Sequence, residues 1–300
     1  MLLFKLVYHP GFDLDLGAHV FPSRKYRLVH DRLLDEGFAA PWDFVEPQPA
    51  TDEDVLRVHD AGWVHRLKSG TLSPSEILRL EIPLASKTVD AFWLAAGGTM
   101  LAARNALQQR VGFNIGGGFH HAFRAHGEGF CAIHDVAIAI RSLQHEALIR
   151  QALVVDCDVH DGNGTASIFT GDPSVVTFSI HQFDNYPAEK PPSTIDIHLR
   201  DGVEDEEYLD RLRSGLAVAM DYRPDIVFYV AGADPYQDDQ LGGLRLTIEG
   251  LQRRDRLVFD TVLGKNVPVV VTLAGGYARN TEDTVTIHCN TAKEANRALQ

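Results

Sequence analysis

The sequence predicts a single α/β domain, three layers deep, with a mostly parallel sheet between layers of helices. Three observations point there. Apolar strand-like runs alternate with helical patterns along nearly the whole chain, as crossover-connected parallel strands require. The runs are apolar on both faces, which suits strands covered from above and below. The 300 residues are 45% hydrophobic and show no repeat, low-complexity tract or linker that would divide residues 1–300 into separate domains.

Residues 2–7 read as the first strand. Residues 23–36 read as a helix, with Ser23 as its cap and Gly37 as its terminator. Residues 51–59 form a shorter helix opened by acidic residues. Residues 83–107 are long, alanine-rich and apolar, a buried helix with Gly97-Gly98 as its candidate interruption. Further strands are expected at 111–115, 152–156, 175–180, 195–199, 226–230 and 267–273. Helices are expected at 136–144, 204–220, 247–263 and 281–298. Residues 182–194 carry Pro187, Pro191 and Pro192 and read as a long loop inside the domain.

Composition narrows the function. A net charge of −13 argues against a nucleic-acid partner, which needs basic patches, and suits a cationic one, although ordinary solubility charge explains it more simply. Cys131, Cys157 and Cys289 are odd in number, far apart and never in a C-x-x-C pair, so no disulfide framework is expected. The opening MLLFKLVYHP is interrupted by Lys5, His9 and Pro10, unlike a signal peptide. No apolar run approaches the roughly 18 residues of a membrane helix. These features lead us to expect a soluble cytoplasmic protein with no membrane partner.

In such folds ligands bind beyond the carboxyl ends of the strands. Five expected strands end in unusual polar loops: "NIGGGFHHAF", "DCDVHDGNG", "SIHQF", "VAGADP" and "LAGGYA". Acidic groups at the mouth of a buried strand are costly without compensation. Alternate residues of an extended chain face one way, so Asp156, Asp158 and His160 share a side while the strand persists. A carboxylate and an imidazole two residues apart can grip a divalent metal, and Asp234 can supply a third ligand. Three protein ligands and a free position are the pattern of a catalytic zinc site. Taken singly, Asp158 also fits a turn or helix cap, and Asp234 before Pro235 also fits a turn. His120-His121, behind three glycines, are candidates for an acid/base pair, with Asp156 and Asn163 as orienters. Tyr277, after Gly275-Gly276, can donate to a carbonyl oxygen gaining charge, or can be a packed tyrosine. Gly129, Phe130 and Tyr186 add apolar surface that fits the methylene stem of a lysine-like substrate.

The stretches "GGGFHHAF", "EGFC", "DCDVHDGNG", "GADP" with Asp239 and Leu241-Gly242 behind it, and "AGGYA" together resemble the histone deacetylase superfamily. The segments "FPSRKY", "VHDAGWVHRL" and "YPAEKPPSTIDIHLRDGVEDEEYL" look most like its class IV branch and bacterial homologues. The resemblance implies the arginase/deacetylase fold with an eight-stranded, mostly parallel sheet. It implies Zn²⁺ on Asp158, His160 and Asp234, His121 as general base, and His120 as its partner oriented by Asp156. It also implies Tyr277 as the residue polarising the scissile carbonyl, with Gly275 and Gly276 beside the channel. A structural K⁺ is implied at Asp156, Asp158, His160, Ser179 and Ile180. The implied reaction is hydrolysis of an N-acyl amide, most often acyl-lysine on a protein or a small acylated amine such as an acylpolyamine. The two-carboxylate, one-histidine set also suits Fe²⁺ or Co²⁺.

Some positions depart from the commoner family pattern. Asp161 stands where many relatives have a second histidine, and Asn163 where some have aspartate. His134-Asp135 replaces a frequent Asn-Asp pair. No aspartate clearly matches the one that holds a peptide backbone in many eukaryotic members. A binuclear manganese ureohydrolase would need further carboxylates at positions occupied by Gly162 and Tyr236. A non-catalytic acyl-lysine binder would not need the full set of matched side chains.

Overall fold

The computed structural model describes residues 2–300. Its strands are β1 (Leu6–Val7), β2 (Phe44–Val45), β3 (Val111–Asn114), β4 (Ala152–Asp156), β5 (Val175–Gln182), β6 (Ile195–Leu199), β7 (Ile226–Val230) and β8 (Val269–Thr272). They form one sheet in the order β2-β1-β3-β8-β7-β4-β5-β6. Every pairing is parallel, so the expected mostly parallel sheet is wholly so.

The helices are α1 (Lys25–Asp35), α2 (Asp52–Leu56), α3 (Ala61–Ser69), α4 (Pro74–Leu80), α5 (Ser86–Gln109), α6 (Asp135–His145), α7 (Asn163–Ile168), α8 (Asp205–Met220), α9 (Ile248–Gly264) and α10 (Thr281–Arg297). α5 packs on β3, β8 and α6, while α8, α9, α10 and α1 pack in succession as the other group. Strands β3, β4, β5, β7 and β8 are buried at every position, as a sheet covered on both faces demands. Among the described residues no helix is long and apolar enough to cross a membrane. All three cysteines are buried and free.

Several expected boundaries move for identifiable reasons. The first strand is confined to Leu6 and Val7, the residues that pair with β2 and β3, while Leu3 is exposed. Ser23 does not cap α1; Arg24 holds that position, and the Ser23 hydroxyl donates to Asp13. Gly37 does follow the helix, at φ +67°. Gly97-Gly98 does not interrupt α5. A Cβ on Gly97 would come within 1.9 Å of the Gln48 carbonyl oxygen, and one on Gly98 within 2.8 Å of Phe12, so both serve close packing. The short helix α7, absent from the expected elements, opens at Asn163-Gly164.

The sheet order positions the functional loops. β3, β8, β7 and β4 are contiguous at its centre. The four polar loops that leave them therefore meet at one rim, although they span residues 115 to 277 in sequence.

Candidate active site

Asp158 and His160 lie in the loop after β4, and Asp234 in the loop after β7; all three are buried. One ligand atom from each lies within 4.8 Å of the others. His160 Nδ1 is 3.0 Å from Asp158 Oδ1 and 3.4 Å from Asp234 Oδ2. The carboxylates are aimed by backbone donors: Gly275 N–H donates to Asp158 Oδ2 at 2.9 Å, and Val159 N–H to Asp234 Oδ1 at 2.8 Å.

Two observations test whether a divalent cation suits this set. Asp234 Oδ2 is buried and has no hydrogen-bond partner, an arrangement disfavoured without a cation. Gly275 leaves the room: a Cβ there would sit 1.9 Å from Asp234 Oδ2 and 2.6 Å from Asp158 Oδ2. The bare cluster also attracts positive charge. Burial opposes protonation of His160, yet Asp158 and Asp234 raise its ring to about 10. A divalent cation on the same donors takes the place of that proton. The residues fit a metal.

His120 and His121 come from the loop after β3, with ring centroids 4.0 Å apart. Asp135 anchors this loop, accepting from the N–H groups of Gly118 and Phe119. His120 Nδ1 lies 2.7 Å from Asp156 Oδ2, and His121 Nδ1 lies 2.8 Å from Asn163 Oδ1. The two rings are driven apart electrostatically. Burial alone would lower His120, but Asp156 and Asp158 outweigh it and raise the ring to about 9. Burial, with His120 and His160 adding to it, pushes His121 well below its ordinary value. Positive charge is therefore favoured on His120 over His121.

Tyr277 is placed by Asp239, whose Oδ2 accepts its backbone N–H at 2.7 Å. With His121 and His160 it lines a pocket of about 160 Å³, alongside Gly129, Phe130, Tyr186 and Leu241. Gly129 is required where it stands: at φ +52°, a Cβ would come within 2.7 Å of His121 and 2.9 Å of Tyr186. Gly275 lines an adjoining cavity together with His121, Gly129, Phe130 and Tyr277, while Gly276 lines neither. Gly275 packs against the two carboxylates, and Gly276, at φ +137°, against Thr284 and Ala233. The structure thus gathers Asp158, His160, Asp234, His120, His121, Asp156, Asn163 and Tyr277 at one rim. Ser179 is the register partner of Asp156 on the adjacent strand, with Ile180 next to it; Ser179 Oγ bonds to His181 Nδ1 at 2.8 Å.

The model of the histone deacetylase domain matches residues 19–292. The chain belongs to the histone deacetylase family. An uncharacterized protein of Picosynechococcus is 41% identical to this family member over 287 residues, covering 95% of this chain and 96% of that one. Histone deacetylase 2 of Arabidopsis thaliana is 31% identical over 291 residues, 92% of this chain and 75% of that one. Among solved structures, the HD domain of HDA15 superposes with a TM-score of 0.81 over 98% of this chain and 88% of that one, at 23% identity, which speaks for the fold. As a histone deacetylase family member the chain is a hydrolase acting on amide bonds.

Three residues of this deacetylase-family site escape the sequence reading. Glu128 accepts from Asn163 Nδ2 at 2.6 Å and from the Tyr186 hydroxyl at 3.4 Å. Its signal, the "GEGFC" stretch, shows the residue but not its partner. Arg254 is completely buried in α9, and its guanidinium reaches Asp255 Oδ1 at 2.8 Å, Gly232 O at 2.5 Å and Cys157 O at 3.4 Å. It therefore fastens the loops that carry Asp158 and Asp234. Lys25 is equally buried and donates to Ala274 O at 2.6 Å. Burial lowers Lys25 to about 8, although Asp234, Asp158 and Asp239 pull upward.

Proposed function

We propose that this protein is a deacylase that hydrolyses N-acyl amides of lysine-like amines with one divalent cation, zinc by donor chemistry, on Asp158, His160 and Asp234. The observation that carries the reading is the convergence of these three donors with His121 and Tyr277 around a single narrow, partly apolar pocket. A divalent cation at such donors lowers the pKa of water from about 15.7 to about 7 and acts as a Lewis acid toward a carbonyl.

The protein's own groups do the rest. Asn163 holds the N–H of His121 on Nδ1, which leaves Nε2 as the acceptor for a proton from the attacking water. The same nitrogen then returns the proton to the departing amine. His120, kept cationic by Asp156, sets positive charge beside the oxygen that becomes negative. The Tyr277 hydroxyl donates to that oxygen as the carbonyl is attacked. Phe130 and Tyr186 flank the acyl-bearing stem and exclude bulk water. Fe²⁺ and Co²⁺ suit the same donors. The adjoining ends of β4 and β5, at Asp156, Asp158, His160, Ser179 and Ile180, are where we assign the K⁺ expected from the resemblance; the pairing of Asp156 with Ser179 supports it.

A small acylated amine, such as an acylpolyamine, is the second reading. Glu81 favours it, because this residue belongs to the pocket wall and its negative charge would attract a second ammonium group. The motifs "FPSRKY" and "VHDAGWVHRL" support a class IV-like subgroup. Zinc-loaded protein assayed on acetyl- to long-chain acyl-lysine peptides and acylpolyamines, with and without chelator, tests the proposal. Chelator-sensitive turnover that disappears in His121→Ala is expected; turnover indifferent to both excludes it.

A further inference from the structure

A second cluster of ligand-type side chains lies at the sheet edge, outside the pocket. β5 and β6 pair in parallel with Ser179 opposite Asp196 and His181 opposite His198. Paired residues, and residues two apart on a strand, share a face. The register thus sets His181, Asp196 and His198 side by side on one face of the last two strands. One ligand atom from each lies within 4.8 Å of the others, the same closeness as in the Asp158 cluster. Asp161, from the loop after β4, joins them with Oδ2 3.3 Å from His181 Nε2.

Polar atoms here lack partners. His181 Nε2, Asp161 Oδ1 and Asp196 Oδ1 are buried and make no hydrogen bond. His181 and Asp161 are at most 1% exposed. Among the described residues, the buried carboxylate oxygens without a partner are those of Asp161, Asp196 and Asp234. Asp196 and Asp234 each belong to one of the two clusters with metal-ligand geometry, and Asp161 abuts the edge cluster through His181. The nearby cation does not resolve the deficit, since the Lys190 ammonium donates to the carbonyls of Asn185 and Pro187.

The histidine is prepared as a donor. Its Nδ1 bonds to Ser179 Oγ at 2.8 Å, the outer-shell contact that fixes ring orientation and frees Nε2. His198 is exposed, which gives an ion a path from solvent.

We propose that His181, Asp196 and His198, with Asp161 beside His181, form a second metal site that takes a divalent first-row cation of the zinc type. Two imidazoles with carboxylates suit zinc, nickel or cobalt over magnesium or calcium. The ion clamps the edge strands β5 and β6 to the loop that carries His160, one residue before Asp161. It is a structural site, distinct from the candidate catalytic one.

Cobalt is the probe. Chelator-stripped protein is dialysed against dilute Co²⁺, and bound metal is counted by elemental analysis together with the visible Co²⁺ absorption. About two ions per chain are expected for the wild type and about one for both His198→Ala and Asp196→Asn. His198 is exposed, so its removal leaves the core intact. Asp234→Asn separates the two sites: it loses the pocket ion and keeps the edge ion. A single ion that vanishes in His198→Ala still supports the edge site while removing the pocket assignment. Uptake in both His198→Ala and Asp196→Asn equal to that of the wild type overturns the proposal.

Discussion

Glu128 fixes which way the Asn163 amide faces. Its Oε1 accepts from Asn163 Nδ2 at 2.6 Å, so Asn163 presents its oxygen, not its nitrogen, to His121 Nδ1 at 2.8 Å. A carboxylate offers only acceptors, so the amide cannot be reversed without setting its oxygen against the Glu128 oxygen. A neutral residue thereby orients the ring with help from an anion one step further out. In Glu128→Ala, kcat is expected to fall by about 10- to 100-fold with little change in KM, and Glu128→Gln to recover part of it. Equal kcat in Glu128→Ala and the wild type would remove this role.

Tyr277→Phe tests the donor to the carbonyl. The loss of one such hydrogen bond costs on the order of 10²–10³ in turnover. Zinc content should be unchanged, because the phenol is not among the ligand atoms. Normal turnover in a zinc-replete variant would dismiss the assignment.

Gly275→Ala tests the metal cradle from the backbone side. The added methyl meets Asp234 Oδ2 at 1.9 Å, so the carboxylate must turn away. Bound zinc after dialysis is expected to drop by about one ion per chain, with activity following. Full zinc occupancy would show that the carboxylates are placed otherwise.

Arg254→Met leaves Asp255 buried beside Tyr229 and Thr291 without its guanidinium. Breaking such a pair costs about 3–5 kcal/mol. Urea unfolding should show that loss, and metal affinity should weaken because the Gly232 and Cys157 carbonyls are released. An unchanged urea midpoint would count against it.

His59 predicts an acid sensitivity. Its Nδ1 donates to Phe123 O at 2.9 Å, and its Nε2 accepts the His134 N–H at 2.9 Å, so both nitrogens are used by the neutral ring. Burial lowers it from 6.5 to about 4. Between those values the unfolded chain takes up a proton that the folded chain refuses. Stability is therefore lost as pH falls through that window, by up to ~1.4 kcal/mol per pH unit. His59→Gln, whose amide can keep both bonds, should flatten the slope measured by urea unfolding; an identical slope would refute the assignment.

The candidate pocket was largely legible because chemistry-bearing residues follow apolar strands at short range. Asp158 and His160 are two apart, and "GGGFHH" and "GGYA" announce themselves locally. The residues that escaped act across sequence distance. Glu128 meets Asn163 across 35 positions, and Arg254 meets Cys157 across 97. In the run "QRRDR", Arg254 reads as a solvated charge; only the packing of α9 shows that it points inward. The two-residue strand β2 is too short for periodicity to register. α4 did carry a local signal, the capping box of Ser73 and Glu76 with Pro74 at its first turn, and this was readable from sequence. The Gly97-Gly98 pair misled because a glycine kept for close approach looks the same in sequence as one that ends a helix.

The insertion of β8 between β3 and β7 has a consequence for biosynthesis. A growing chain that has not yet delivered residues 269–272 has β3 and β7 with no strand between them. The His120-His121 loop then lacks its final distance from Asp234, and Gly275 has not arrived to brace either carboxylate. Ion capture at the proposed site must therefore wait until residues 269–275 have been made, and a fragment ending before β8 is expected to be inactive and free of pocket metal.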